Sequence, residues 1–131
     1  MKVITLKQPW ATLVAEGIKK YEFRTWKTNY RGKVLIHAGA GVDKQEMDRF
    51  KHLDLEYPSK RIIAVVEIDD CLELTDELNQ EIINENNVAY GTKFRSGYAW
   101  KLKNVKKLYI NEEINGKLAF WNYDIKQDVW R

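Results

Sequence analysis

The sequence predicts an α+β domain, a small mixed β-barrel of about six strands flanked by two or three helices. Three observations lead there. Segments with apolar residues at period two outnumber those at helical spacing, and they dominate the second half of the chain. The length of 131 residues, 44% of them hydrophobic, suits one domain with one core. No repeat, low-complexity tract or linker interrupts the chain, so residues 1–131 read as a single domain.

Each element has a local reason. Lys2 to Leu6 alternates, with Val3 and Ile4 favouring a strand. Gln8-Pro9-Trp10 opens a short helix, since proline suits a first turn where its missing N–H is not needed. Trp10, Leu13 and Val14 share its apolar face, which places Trp10 in the core, and Gly17 is a good C′ residue. Tyr21 to Trp26 alternates: Tyr21, Phe23 and Thr25 face one way, Lys20, Glu22, Arg24 and Trp26 the other. Asn29 to Gly32 is a turn, and Lys33 to Ala38 is apolar enough for a central strand. Asp43 is an N-cap candidate for a helix reaching Leu53, with Met47 and Phe50 on its buried face. Ile62 to Ile68 is the strongest strand and ends at Asp69-Asp70. Thr75 caps an acidic helix from Asp76 to about Asn84, with a break at Glu85-Asn86-Asn87. Strands follow at Gly97 to Leu102, at Val105 to Ile110 after a kink near Asn104, and at Leu118 to Ile125 after a turn at Ile114 to Lys117.

Composition narrows the function classes. Cys71 is the one cysteine, which rules out an internal disulfide and fits a reducing, cytoplasmic setting. No apolar run approaches membrane-spanning length, so no membrane role is expected. With His37 and His52 alone, no metal-ligand spacing arises, and Gly39-x-Gly41 is too short for a phosphate loop; no metal or cofactor is expected. Ser59 and Ser96 lack a histidine nearby in sequence, which leaves a hydrolase triad unsupported. The net charge of +3 is unevenly spread. Residues 1–40 carry eight Lys/Arg against Glu16 and Glu22, residues 67–85 eight Asp/Glu and no Lys/Arg, and residues 92–107 six Lys/Arg and no acid. Basic segments brought together by a fold attract phosphates. The acidic 67–85 stretch, with Glu77 and Glu81, is the alternative: a surface for a protein partner.

The densest chemistry lies in residues 17–38, where Lys19, Lys20, Glu22, Arg24, Lys27 and Arg31 mix with Tyr21, Phe23, Trp26 and Tyr30. Charges among large aromatics are costly to bury unpaired, so such a cluster marks a ligand site or a buried ion pair. Glu22 and Arg24, two apart on one strand face, are placed to pair. Trp10, Trp26, Tyr98, Trp100 and Trp121 are the stacking candidates, with Trp26, on the charged face, the leading platform. Gln8 offers an amide for a base edge or for capping its helix. His37, in an apolar strand, reads as a hydrogen-bonded core histidine.

Several motifs resemble a known family in order: Lys7-Gln8-Pro9-Trp10-Ala11; Gly17-x-Lys19-x-x-Glu22-x-Arg24-x-Trp26; Tyr30-Arg31-Gly32 leading to His37-Ala38; Tyr57-Pro58-Ser59; Asp69 to Leu72; Tyr98-Ala99-Trp100; and Ile114-x-Gly116-Lys117-x-x-x-Trp121. Over nearly its whole length the chain resembles the ASCH domain, of the ASC-1 homology type. The resemblance implies a PUA-like fold, a small barrel with a helix-flanked cleft, and a role around RNA. It also implies two enzymatic alternatives, since some relatives hydrolyse N4-acetylcytidine with a lysine, a threonine and a glutamate, and others are ribonucleases. The motif lysine falls on Lys19. The threonine position carries Glu22, and Glu81 and Glu85 are the candidates for the glutamate. The expected function is thus binding of RNA or a nucleotide-like ligand in a cleft of Gln8, Lys19, Glu22, Arg24 and Trp26, rimmed by Lys33, Lys101 and Lys103. Lys19 and Glu22 are the catalytic pair if the domain is an amidohydrolase or ribonuclease. The oligomeric state is left open.

Overall fold

A computed structural model describes residues 1–125. Its strands are β1 (Lys2–Gln8), β2 (Tyr21–Arg24), β3 (Gly32–Val42), β4 (Arg61–Glu73), β5 (Tyr98–Lys107) and β6 (Trp121–Asn122). Its α-helices are α1 (Trp10–Ala15), α2 (Lys44–Phe50), α3 (Asp76–Glu85) and α4 (Asn87–Tyr90), and a 3-10 turn at Lys51–Leu53 extends α2. The strands form one mixed sheet in the order β2-β5-β4-β3-β1-β6. Among the described residues only β1 and β3 run parallel, joined by the crossover that carries α1 and β2.

The α+β class and the six strands match the expectation. The sheet is not closed into a barrel: β2 and β6 end it, and no ladder joins them among the described residues. Side chains bridge them instead. Arg24 Nη2 donates to the Thr5 carbonyl at 2.9 Å, and Trp26, just after β2, lies 5.6 Å from Phe120, just before β6.

Element boundaries moved for identifiable reasons. Asp69-Asp70 does not end β4. Ile68 pairs with Leu102 and Asp70 with Lys101, so Asp69 is the extra residue of a bulge, and the strand runs on to Glu73. The two strands expected around Asn104 are one, β5. Glu67 faces Lys103 and Val65 faces Lys106, which leaves an extra residue on β5 where Asn104 takes a φ of 53°. The last strand shrinks to Trp121–Asn122, and the break after Glu85 holds a further helix, α4, capped by Asn86. Asp43 and Thr75 cap α2 and α3, accepting from the backbone N–H groups of Glu46 and Leu78.

The central strands are buried on both faces. On one, α1 packs through Ala11, Val14 and Ala15 against Ile4, Leu6, Ile36, Val66 and Trp100. On the other, Val3, Leu35, Ile62, Leu108 and Trp121 form a second cluster. A third, around Ile82, Ala89, Tyr90 and Ala99, seats α3 and α4 beside Tyr21 and Phe23. His37 is buried and fully bonded. Its Nε2 lies 2.7 Å from the Ile114 carbonyl and so carries the proton, while Nδ1 accepts from the Thr5 hydroxyl at 3.1 Å, and that hydroxyl accepts from Trp121 Nε1. No helix among the described residues is long and apolar enough to cross a membrane.

Candidate ligand-binding site

The site starts at the end of α1. Gly17 adopts a φ of 74°, a left-handed conformation that favours glycine, and the N–H groups of Ile18 and Lys19 both return to the Leu13 carbonyl. The chain reverses and delivers Lys19 inward at 4% exposure. Lys19 Nζ donates to the Tyr21 carbonyl at 2.5 Å and to Glu22 Oε1 at 2.9 Å. The other carboxylate oxygen of Glu22 accepts from Arg24 Nε at 3.0 Å, and Arg24 reaches on to Thr5 of β1. Period-two alternation on β2 pairs Glu22 with Arg24, and the reversal at Gly17 adds Lys19, giving a Lys–Glu–Arg network anchored at both ends. Tyr90 secures the approach, its hydroxyl accepting from the Lys20 N–H at 2.7 Å. Burial pushes the Tyr90 phenol up to about 12, so it stays protonated.

A cavity of about 180 Å³ opens on this network, lined by Trp10, Lys19, Glu22, Phe23 and Arg95. It sits at the free edge of the sheet, which is how Glu22 and Phe23, from opposite faces of β2, both reach it. Arg95, from the loop before β5, lies over the Phe23 ring at 4.4 Å, and Lys19 lies over the same ring at 4.8 Å. Arg95 forms no ion pair among the described residues. Lys19 and Arg24 therefore share the Glu22 carboxylate, and Arg95 lines the same cavity without an ion pair among the described residues. Desolvation lowers the Lys19 pKa, and the adjoining Glu22 opposes that shift.

Of the residues expected here, Lys19 and Glu22 line the cavity together. Arg24 is bonded to Glu22 but opens into a different groove, beside Lys7 and Lys117. Gln8 does not present a free amide. It is 1% exposed, its Oε1 accepts from the Thr12 N–H, and its Nε2 donates to the Thr12 hydroxyl and the Pro58 carbonyl, so it caps α1 and pins the 56–58 loop. Trp26 is not a cleft platform. β2 ends at Arg24, the alternation stops there, and Trp26 packs into an aromatic cluster 4.7 Å from Trp100. Lys33, Lys101 and Lys103 do not rim this cavity. Lys103 pairs with Asp69 at 3.0 Å, and Lys33 and Lys101 face Glu67 and Asp70 across β4. Glu81 and Glu85 are exposed on α3 and stand outside the lining. The acidic stretch is divided in the same way: Asp69 and Asp70 are paired to Lys103 and Arg31, while the acids of α3 stay in solvent.

Phe23 and Arg95 are the lining residues that sequence reasoning missed. Trp10 is among the stacking candidates, but its place on the apolar helix face put it in the core of the expected fold. α1 has only six residues, so its first side chain overhangs the sheet, half-buried, with its edge toward Phe50 at 6.3 Å. Arg95 had a signal, being an arginine between Gly91 and Gly97 in a basic segment outside any strand pattern. Among the described residues, no group of three or more His, Cys, Asp or Glu is placed to hold a metal.

The model of the ASCH domain family matches residues 4–112. Activating signal cointegrator 1 of mouse is 28% identical over 135 residues, covering 94% of this chain, and its human counterpart is equally similar. This chain spans 22% of the length of those relatives. A crystal structure of a mutant ASCH protein from Zymomonas mobilis superimposes with a TM-score of 0.54 at 15% identity, over 87% of this chain and 74% of that one.

Proposed function

The chain belongs to the ASCH domain family, and from that premise we propose that it binds single-stranded RNA or a nucleotide-like ligand in the cavity between α1 and β2. One observation carries the reading: beside an aromatic wall, Lys19 and Arg95 line a cavity whose one carboxylate, Glu22, is already bonded to Lys19 and Arg24. An anion restores that balance where water is partly excluded, and an anion with a planar base also uses the half-exposed Trp10. Base stacking on such a ring contributes about 1–3 kcal/mol. Phe23 is a poorer platform, because Lys19 and Arg95 already lie over it. Fluorescence anisotropy with a short single-stranded RNA tests the reading. Affinity should fall steeply with salt, and Lys19→Met should weaken it at least tenfold. Absent binding at low salt, or affinity indifferent to salt, overturns it.

A second reading, hydrolysis of a modified nucleoside or of an RNA phosphodiester, draws on the same pair. Lys19, with its pKa lowered by burial, donates to Glu22 at 2.9 Å, which sets an amine beside a carboxylate at the cavity wall. Lys19 would take a proton from an attacking water and Glu22 would assist its return to the leaving group. Incubation with N4-acetylcytidine and with labelled RNA decides. Turnover abolished by Lys19→Met supports the enzyme, and no turnover of either removes it while leaving the binding reading intact.

A further inference from the structure

We infer that the basin beyond Arg95 is a phosphate subsite, so that the ligand of the Lys19–Glu22 cavity is a nucleotide unit carrying its phosphate rather than a bare nucleoside. This rests on the reading that the cavity binds a nucleotide-like ligand. The basin encloses about 650 Å³ between α2 and the loop joining α4 to β5, and its polar lining is Glu46, Arg49, Thr92, Lys93, Arg95 and Ser96. Three cations, Arg49, Lys93 and Arg95, line it with one carboxylate, Glu46. Glu46 is engaged by Arg49, whereas Lys93 and Arg95 have no ion-pair partner among the described residues.

Arg95 is held in place in advance. The side chain of Asn79, 3% exposed, clamps its backbone from both sides, accepting from the Arg95 N–H at 2.8 Å and donating to the Arg95 carbonyl at 2.8 Å. Its guanidinium is oriented by the Tyr90 carbonyl at 3.0 Å and by the Phe23 ring beneath it. A fixed planar fork with remaining N–H groups suits phosphate oxygens, and holding it rigid reduces the ordering cost of binding. Burial lowers the Arg95 pKa, and the nearby Glu46 carboxylate opposes that shift.

Arg95 lines both compartments, so one guanidinium is the wall between them. A nucleotide has the matching division, a planar polar base and an anionic phosphate separated by a ribose. The base lies at Trp10 and Glu22, and the phosphate lies at Arg95 and Lys93. Lys93 is exposed and strengthens the phosphate end without touching the Lys19 network.

Calorimetry at low salt with uridine, cytidine and their 5′-monophosphates, together with anisotropy on an eight-nucleotide uridine RNA, tests this. The monophosphates should bind at least tenfold tighter than the nucleosides. Lys93→Glu should remove that advantage, weaken RNA binding about tenfold and reduce the salt slope by about one. Lys27→Glu, an equal charge change on an exposed lysine outside both compartments, should leave the ratio of monophosphate to nucleoside affinity unchanged. Equal affinities for nucleosides and monophosphates overturn the phosphate subsite but not the cavity. If RNA binds and the mononucleotides do not, an RNA affinity unmoved by Lys93→Glu overturns it as well. No binding of any probe removes the subsite and the nucleotide reading together.

Discussion

Two regions of this molecule are built from the same ingredients, cations set among aromatic rings, and the short stretch from Lys19 to Tyr30 feeds both. At one, Lys19, Glu22 and Arg95 meet Trp10 and Phe23 around a cavity. At the other, Trp26, Tyr30, Trp100 and Phe120 close on one another, with Lys2 over Tyr30 and Phe120 at 5.2 and 5.4 Å. The second region is filled: Trp100 is 1% exposed, and its indole N–H is directed to the Trp26 carbonyl. Composition does not separate a binding site from a structural cluster. Empty volume and unmatched charge do, and both depend on where β2 stops.

The largest effect should come from breaking the filled region. Trp100→Ala empties a packed position between the two sheet edges and should cost about 3–5 kcal/mol, read by urea denaturation. RNA binding by the fraction that remains folded should be little changed. If that variant loses stability and affinity in proportion, the two regions act as one unit and the comparison fails.

Next in size is Glu22→Ala, which leaves Lys19 buried without its carboxylate and takes the same partner from Arg24. Breaking a buried pair by removing one partner costs about 3–5 kcal/mol. Lys19→Met should be far milder, because it removes the desolvated charge and leaves Glu22 with Arg24. A smaller loss in Glu22→Ala than in Lys19→Met would mean that the network is not what holds this corner of the fold.

Two tryptophan substitutions sharpen the contrast further. Trp10→Ala should weaken RNA binding by about 1–3 kcal/mol, while Trp26→Ala should act mainly on stability. The reverse pattern would restore Trp26 as the platform that alternation suggested.

The order of these outcomes tracks what could be read from the sequence. The class, the strands around Val34 to Ala38 and Ile62 to Ile68, the caps at Asp43 and Thr75, and the turn at Gly17 all follow from local pattern and were legible. Period two also paired Glu22 with Arg24 correctly. It failed at Trp26, because a four-residue edge strand ends when its partner β5 no longer runs beside it, a tertiary fact. At Gln8 local reading offered a base edge or a helix cap; the cap is what forms, and the further tie to the Pro58 carbonyl, 50 residues away, lay beyond it. Asp69 looked like a strand end and is a bulge, since both outcomes place an acid at the surface. Arg95 could not be assigned to the site from its neighbours, because what brings it there is Asn79 on α3 and Phe23 on β2.

The smallest effect is the pH dependence. The Lys19 pKa is lower in the folded state than in the unfolded one, so across the window between the two values the unfolded chain binds more protons and stability rises with pH. The cost of burying the charged amine is fully present below that window and is relieved as pH climbs toward the ordinary lysine value. Tyr90 acts in the opposite sense and later: its phenol is raised to about 12, so its contribution is lost between the ordinary tyrosine value of about 10 and that point. Denaturation at pH 8, 9 and 10, wild type against Lys19→Met, isolates the lysine, because every other titrating group is common to both. The stability difference should move in favour of wild type as pH rises. A difference constant over that range would mean that Lys19 keeps an ordinary pKa. It would then serve as a plain cationic contact like Arg95, and the proton-transfer reading of the Lys19–Glu22 pair would lose its support while the anion-binding one kept it.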